Sequence, residues 1–270
     1  MFDYRSDTSA AIHFSAFSPT VSIGFNVSGN SFLYATFSRG YRVGGLTPLS
    51  SDPSQPALYP FRPEYSNNIE LGAKNSFWNH KLIWNIAAFY STISDAQVPT
   101  LILPDAVTIT KNTGRLTSKG IETEVMAKLF KGLEVNASLG YTDAQYNNLK
   151  IAQGDAEANL KGKRQLFTPD VTSMLAMQYT RDVKSKQNIQ LVVRGEWLYT
   201  GMQYFDLANT ISQKGYSLLN AKAGITTKHF GFMLWTRNLA DKYYISYAYD
   251  FGAVHLGNPK TYGVTVNCMF

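Results

Sequence analysis

The chain has 270 residues, of which 44% are hydrophobic, 14% aromatic and only 16% charged, with a formal net charge of +6. Its one cysteine, Cys268, excludes an intrachain disulfide framework and a cysteine metal cage, and no run of about 18 apolar residues offers a membrane helix. The positive charge is spread along the chain without a Lys/Arg cluster among aromatics, so nucleic acid is not an expected partner.

Taken in chain order, MFDYRSDTSAAIHF lacks the layout of a signal peptide and reads as the tail of a strand entered midway. Either the mature chain begins here or it is a piece of something longer. Strand patterns follow at 19–27, 31–42, 65–74, 80–94, 119–128, 133–142, 167–179, 189–199, 217–226 and 230–240, and in the final ten residues TYGVTVNCMF. In 133–142, Leu133, Val135, Ala137, Leu139 and Tyr141 alternate with Glu134, Asn136, Ser138, Gly140 and Thr142. The segments at 31–42, 80–94 and 230–240 are apolar on both faces, which leaves their inside and outside open. Eleven strands of this length suit a tilted membrane strand of about 9–11 residues.

Short turns at 27–31, 75–80, 130–133, 181–187 and 227–229 alternate with long polar connections at 43–63, 95–117, 147–166, 201–215 and 242–258. Long connections on one side and short turns on the other are the layout of an outer-membrane barrel. The expected fold is all-β: an antiparallel transmembrane β-barrel wall of about 11–12 strands, with a polar lumen and a lipid-facing apolar surface. Tyr141, Trp197, Tyr199, Tyr262 and Phe270 then belong to interfacial girdles, with Val264, Val266 and Cys268 meeting hydrocarbon.

Five ordered stretches resemble the C-terminal half of the barrel of TonB-dependent outer-membrane receptors. They are AFSPTVSIGFNVSGNSFLYATFSRGYRVGG (16–45), FRPEYSNNIELGAKNSFWNHKLIWNIAAFYSTISDAQ (61–97), NTGRLTSKGIETEV (112–125), TRNLADKYYIS (236–246) and NPKTYGVTVNCMF (258–270). The resemblance implies that residues 1–270 are the C-terminal portion of a 22-stranded type barrel, with the plug domain absent from this chain. It implies an integral barrel in the outer membrane of a Gram-negative bacterium, among outer-membrane lipid and LPS, and contact with the TonB complex only through a plug. It also implies uptake of a ferric siderophore or similar chelate; cobalamin, haem or oligosaccharide would fit the same strands. Tyr262, Val264, Val266, Cys268 and Phe270 resemble the terminal assembly signal, implying the barrel-assembly machinery as partner. The alternative is a self-contained 12-stranded pore or autotransporter-like translocator that counts Met1 to Ser6 as part of a strand.

No catalytic motif, metal-ligand spacing or cofactor fingerprint occurs: His13, His80, His229 and His255 are scattered, and no G-x-S-x-G or P-loop is present. No enzyme activity and no cofactor are expected. A ligand site belongs on the long-connection side, where Arg42 and Arg62 flank TPLSSDPSQPALYPFRP and suit an anionic chelate. Arg42 paired with Glu64 is the plainer reading. Tyr204, Phe205, Tyr247, Tyr249 and Phe251 populate the last two long connections, either to bind flat ligands or to pack the loops together.

Overall fold

The computed structural model describes residues 2–3, 8–47, 59–102, 107–112, 114–148, 150–153, 156–159, 161–183, 188–249 and 252–268. Eleven of its strands make one antiparallel sheet. They are β1 (Thr20–Ser28), β2 (Ser31–Arg42), β3 (Glu64–Phe77), β4 (Leu82–Ser94), β5 (Arg115–Phe130), β6 (Leu133–Asn148), β7 (Val171–Val183), β8 (Ile189–Thr200), β9 (Tyr216–Thr226), β10 (Phe230–Arg237) and β11 (Thr261–Cys268). Each pairs only with its sequence neighbours, so the sheet is an up-and-down meander with β1 and β11 at its edges.

The register assigns the faces. Ile121 pairs with Ala88 on one side and Tyr141 on the other; one residue further, Glu122 pairs with Ala87 and Gly140. Side chains directly opposite in a ladder share a face, so one surface of the sheet is apolar and the other polar. The apolar surface is open to its surroundings: Ile23, Leu71, Ile121, Leu139, Val193 and Val264 are all exposed. A face of that extent requires lipid rather than water. Within it, Trp84 donates its indole N–H to Thr123 Oγ1 at 2.9 Å, which satisfies a donor that hydrocarbon would leave unpaired.

The register also resolves the segments that are apolar on both faces. On the polar side Phe32 lies across Gly24, Tyr34 across Gly72, Phe89 across Gly120 and Trp235 across Gly263; a Cβ at any of these glycines would collide with the ring. Those aromatics fill the gaps left by neighbouring glycines, so an apolar residue on the lumen side is packed rather than misplaced.

Buried apolar side chains collect on the long-connection side, where Ala96, Val98, Leu116 and Tyr146 pack with Ile93 and Leu207. The predicted strand at 167–179 begins only at Val171, because Phe167 adopts φ 54° and breaks the extended chain. Nor is a twelfth strand of the large sheet found among the described residues near the start of the chain: Phe2–Asp3 pairs with Thr8–Ser9 as a separate hairpin and not with the large sheet. Phe270 and Phe251 lie outside the described residues.

Candidate ligand site at the long connections

Each of the five long connections carries a two-stranded hairpin of its own. These pair Gly45–Thr47 with Tyr59–Phe61, Gln97–Ile102 with Val107–Asn112, Lys150–Gln153 with Ala156–Asn159, Gln203–Tyr204 with Ser212–Gln213, and Ile245–Ala248 with Val254–Leu256. The backbone of these excursions is thereby hydrogen-bonded locally, and side chains join one excursion to the next.

The arginine side is held by Gln97, which is buried. Its side-chain amide donates to Val43 O at 2.9 Å and to Arg62 O at 3.1 Å, tying the two ends of the first long connection together. Asn112 adds a reciprocal pair: it accepts from Arg62 N at 2.6 Å and donates to Arg62 O at 2.8 Å. The Arg62 guanidinium donates to Asp95 at 2.7 Å; the Arg62 side chain remains largely in solvent, and Asp95 is partly buried. Arg42 stands opposite Glu64 in the β2–β3 ladder, yet the Glu64 carboxylate accepts Gln97 N–H at 2.7 Å. Among the described residues Arg42 forms no ion pair, which leaves an exposed guanidinium at the rim.

The aromatic side is built around Phe167. Its ring stacks on Tyr247 with centroids 5.1 Å apart and planes 15° apart, and meets Phe205 at 5.7 Å. Tyr247 continues edge-on to Tyr249 at 4.7 Å. Phe205, Tyr247 and Tyr249 are therefore joined through Phe167, and Tyr204 takes part through its backbone, accepting Phe167 N–H at 3.0 Å. Phe205 is buried, whereas Phe167, Tyr247 and Tyr249 present ring surface outward. Sequence reasoning missed Phe167, whose left-handed backbone at a strand entrance carries no sequence signal.

Four polar residues fix these connections. Asp206 accepts from Ile211 N at 2.6 Å, from Thr210 N at 2.8 Å and from Thr210 Oγ1 at 2.8 Å. Burial alone would raise its pKa, but these donors outweigh burial and hold the carboxyl below the ordinary aspartate range. Asn209 donates to Arg164 O and accepts Arg164 N–H, joining the third and fourth long connections. Asn238, buried, donates to Lys242 O and Asn258 O and accepts Lys242 N–H, while Asp241 accepts Lys260 N–H at 2.9 Å. The NLADK stretch thus closes the last long connection. Its signal was already in the sequence, as part of the motif that carries the resemblance.

Among the described residues no group of His, Cys, Asp or Glu could hold a metal ion. The arrangement is that of a binding rim: exposed cations and aromatic surface above a polar-faced wall. A family model described as TonB dependent receptor-like, beta-barrel matches residues 2–239. The chain belongs to this family. Membership makes it part of the wall of an outer-membrane β-barrel of Gram-negative bacteria, in a family of receptors rather than enzymes.

Solved TonB-dependent receptors reproduce the fold. The ferric yersiniabactin uptake receptor FyuA from Yersinia pestis aligns with a TM-score of 0.77 and 21% identity, covering 93% of this chain and 37% of that one. The siderophore receptor PiuA from Acinetobacter baumannii aligns at 0.72 and 19% identity, covering 92% of this chain and 35% of that one. The ferripyoverdine receptor of Pseudomonas aeruginosa aligns at 0.67 and 17% identity, covering 95% and 33%. This chain therefore spans about a third of the length of the receptors it resembles.

Proposed function

We propose that the chain is the C-terminal portion of the wall of a ferric-siderophore receptor, binding its chelate at the long-connection rim. The observation that carries the reading is the joined aromatic surface of Phe167, Tyr247 and Tyr249 on a sheet that matches siderophore-receptor barrels. Flat chelate rings suit that surface, and Arg42 and Arg62 supply positive charge for an anionic complex. Tyr204, through its backbone carbonyl, and Phe205, through its ring, hold Phe167 in place.

Strand direction supports the half-barrel reading. Both edge strands run from the long-connection side to the short-turn side: β1 leads into a short turn, and β11 follows the last long connection. Closing the sheet on itself, or with a second copy in the same orientation, would set β1 and β11 parallel. An antiparallel closure needs an intervening wall with an odd number of strands, as the other half of a 22-stranded barrel provides. Among the described residues a self-contained 12-stranded pore lacks its twelfth strand. In this reading the wall sits among outer-membrane lipid and LPS, TonB acts through a plug domain outside residues 1–270, and the barrel-assembly machinery reads Tyr262, Val264, Val266, Cys268 and Phe270.

The test is growth of the parent bacterium on individual ferric siderophores as sole iron source, with the gene deleted and then restored. Loss and recovery of growth on one chelate is expected; undiminished growth on every chelate, with cobalamin or haem use impaired instead, would replace the substrate.

A further inference from the structure

The lipid-facing side of β2–β5 changes character toward the long connections. Ala35, Leu71, Ala88 and Ile121 pair across these strands as one apolar row. The next row on the same face is Phe37, Ile69, Tyr90 and Lys119, and the one after it, Arg39, Asn67, Thr92 and Thr117, is wholly polar. Tyr90 and Tyr141 are exposed on this face and mark the border of the hydrocarbon, so the polar row lies at headgroup depth. Each of these strands has both of its neighbours in the sheet, and the face is the outer one, so it meets the membrane whatever fills the barrel.

The row carries charge at both ends. The Arg39 guanidinium lies 4.9 Å from the Tyr65 ring centroid, which holds it along the wall. On β5, Arg115 and Lys119 flank Thr117, and all three cations are exposed. Among the described residues neither Arg39 nor Arg115 forms an ion pair. Lys119 reaches Asp143 only at 3.7 Å, and that carboxylate already accepts from Gln145 Nε2 at 2.7 Å. Thr117 Oγ1 accepts from Asn147 Nδ2 at 2.9 Å, which leaves its own O–H to donate. Arg39 and Thr117 stand about 14 Å apart at ordinary strand spacing. Nearer the membrane centre the same face carries a shallow apolar groove of about 590 Å³, lined on β2–β4 by Leu33, Ala35, Leu71, Ala73, Ile86 and Ala88.

We propose that this row is a phosphate-binding site for one outer-leaflet glycolipid, whose sugar headgroup carries two phosphates and whose acyl chain lies in the groove below. The inference rests on the wall's place in the outer membrane and not on the siderophore reading. Arg39 forms one cationic pole and Arg115 with Lys119 the other, each suited to a phosphate. Asn67, Thr92 and Thr117 present amide and hydroxyl groups to the sugars between them. A phospholipid with a single phosphate engages one pole, whereas a diphosphorylated sugar engages both, and selectivity follows.

The experiment is native mass spectrometry of the whole receptor extracted from outer membranes of the parent bacterium and freed of lipid by detergent exchange. The probes are diphosphorylated lipid A, its fully dephosphorylated form and phosphatidylglycerol. Saturable binding of one lipid A, at least about tenfold tighter than either other lipid, is expected. Arg39→Gln combined with Lys119→Gln, checked for folded mobility before heating, should lose that preference. Lys81→Gln, in a short turn at the opposite end of the wall, should keep it. Equal binding of the dephosphorylated form or of phosphatidylglycerol would overturn the proposal, as would an unchanged preference in the double variant or an equal loss in Lys81→Gln. Should the double variant fail to assemble, the three lipids compared on the unaltered receptor still decide. No chelate is present and the rim is untouched, so failure here is distinct from failure of the ferric-siderophore reading.

Discussion

Phe167 and Tyr247, eighty residues apart in sequence, lie face to face with ring centroids 5.1 Å apart and planes tilted by 15°. This contact joins the entrance of β7 to the last long connection, and it makes one aromatic surface out of residues that would otherwise sit on separate loops. An aromatic pair of this kind is worth about 0.5–1.5 kcal/mol beyond the area it buries. Phe167→Ala should therefore loosen the last long connection and weaken chelate binding by roughly three- to tenfold, a loss of that same size. Proteolysis of residues 245–256 together with equilibrium binding of the ferric chelate checks it. Unchanged binding would remove the stack from the ligand site.

Leu139 and Ser138 are neighbours on β6 that face opposite ways, Leu139 being 49% exposed on the apolar surface. Arginine at Leu139 should cost about 2–4 kcal/mol near the bilayer midplane, while arginine at Ser138 enters the aqueous lumen at little cost. Urea unfolding of the chain in lipid vesicles distinguishes the two. Equal damage from both substitutions would reverse or abolish the assignment of faces.

The Asp206 carboxyl is held below its ordinary pKa, so the folded connection prefers it ionised. For a carboxylate with a depressed folded value, the stabilisation is fully present above the unfolded value and is lost as pH falls through the folded one. Amide exchange at Thr210 and Ile211 should thus be protected at neutral pH and accelerate only at pH below the ordinary aspartate value of 3.8. Asp206→Asn should remove that acid transition. An identical acid profile in the variant would assign the transition to another group.

Phe270 closes the alternating series of Tyr262, Val264, Val266 and Cys268, in which Val264 and Val266 are exposed on the apolar surface. Phe270→Ala should lower the amount of heat-modifiable barrel in the outer membrane while leaving synthesis intact. Normal membrane levels would show that assembly does not depend on the terminal residue.

Period-two alternation located most strands of the large sheet, because a wall between lipid and water imposes that alternation directly on the residues; the strands at 31–42, 80–94 and 230–240, apolar on both faces, were legible only through their aromatic and β-branched residues. It misjudged lengths where the membrane ends. β6 was expected to stop at Thr142 but continues to Asn148, and β5 begins at Arg115 rather than 119. Beyond the bilayer the ladder still satisfies the backbone, yet both faces meet water or loops and alternation is no longer required. The rim was harder to read. Arg42, Arg62 and the loop aromatics stand out by residue type, but Phe167 enters through a positive φ, and Asn209 and Gln97 act through contacts between distant loops. Such contacts depend on which connections lie side by side, and composition does not encode that.

The central claim is that this sheet is a membrane wall with one face to lipid and one to an aqueous lumen. The most direct test places single cysteines at positions 136–141 in turn, in a Cys268→Ser background, and labels the protein in intact outer membranes. Asn136, Ser138 and Gly140 positions should react with a water-soluble maleimide, and Ala137, Leu139 and Tyr141 positions only with a lipid-soluble one. Uniform reaction with the water-soluble reagent along all six positions would contradict the account.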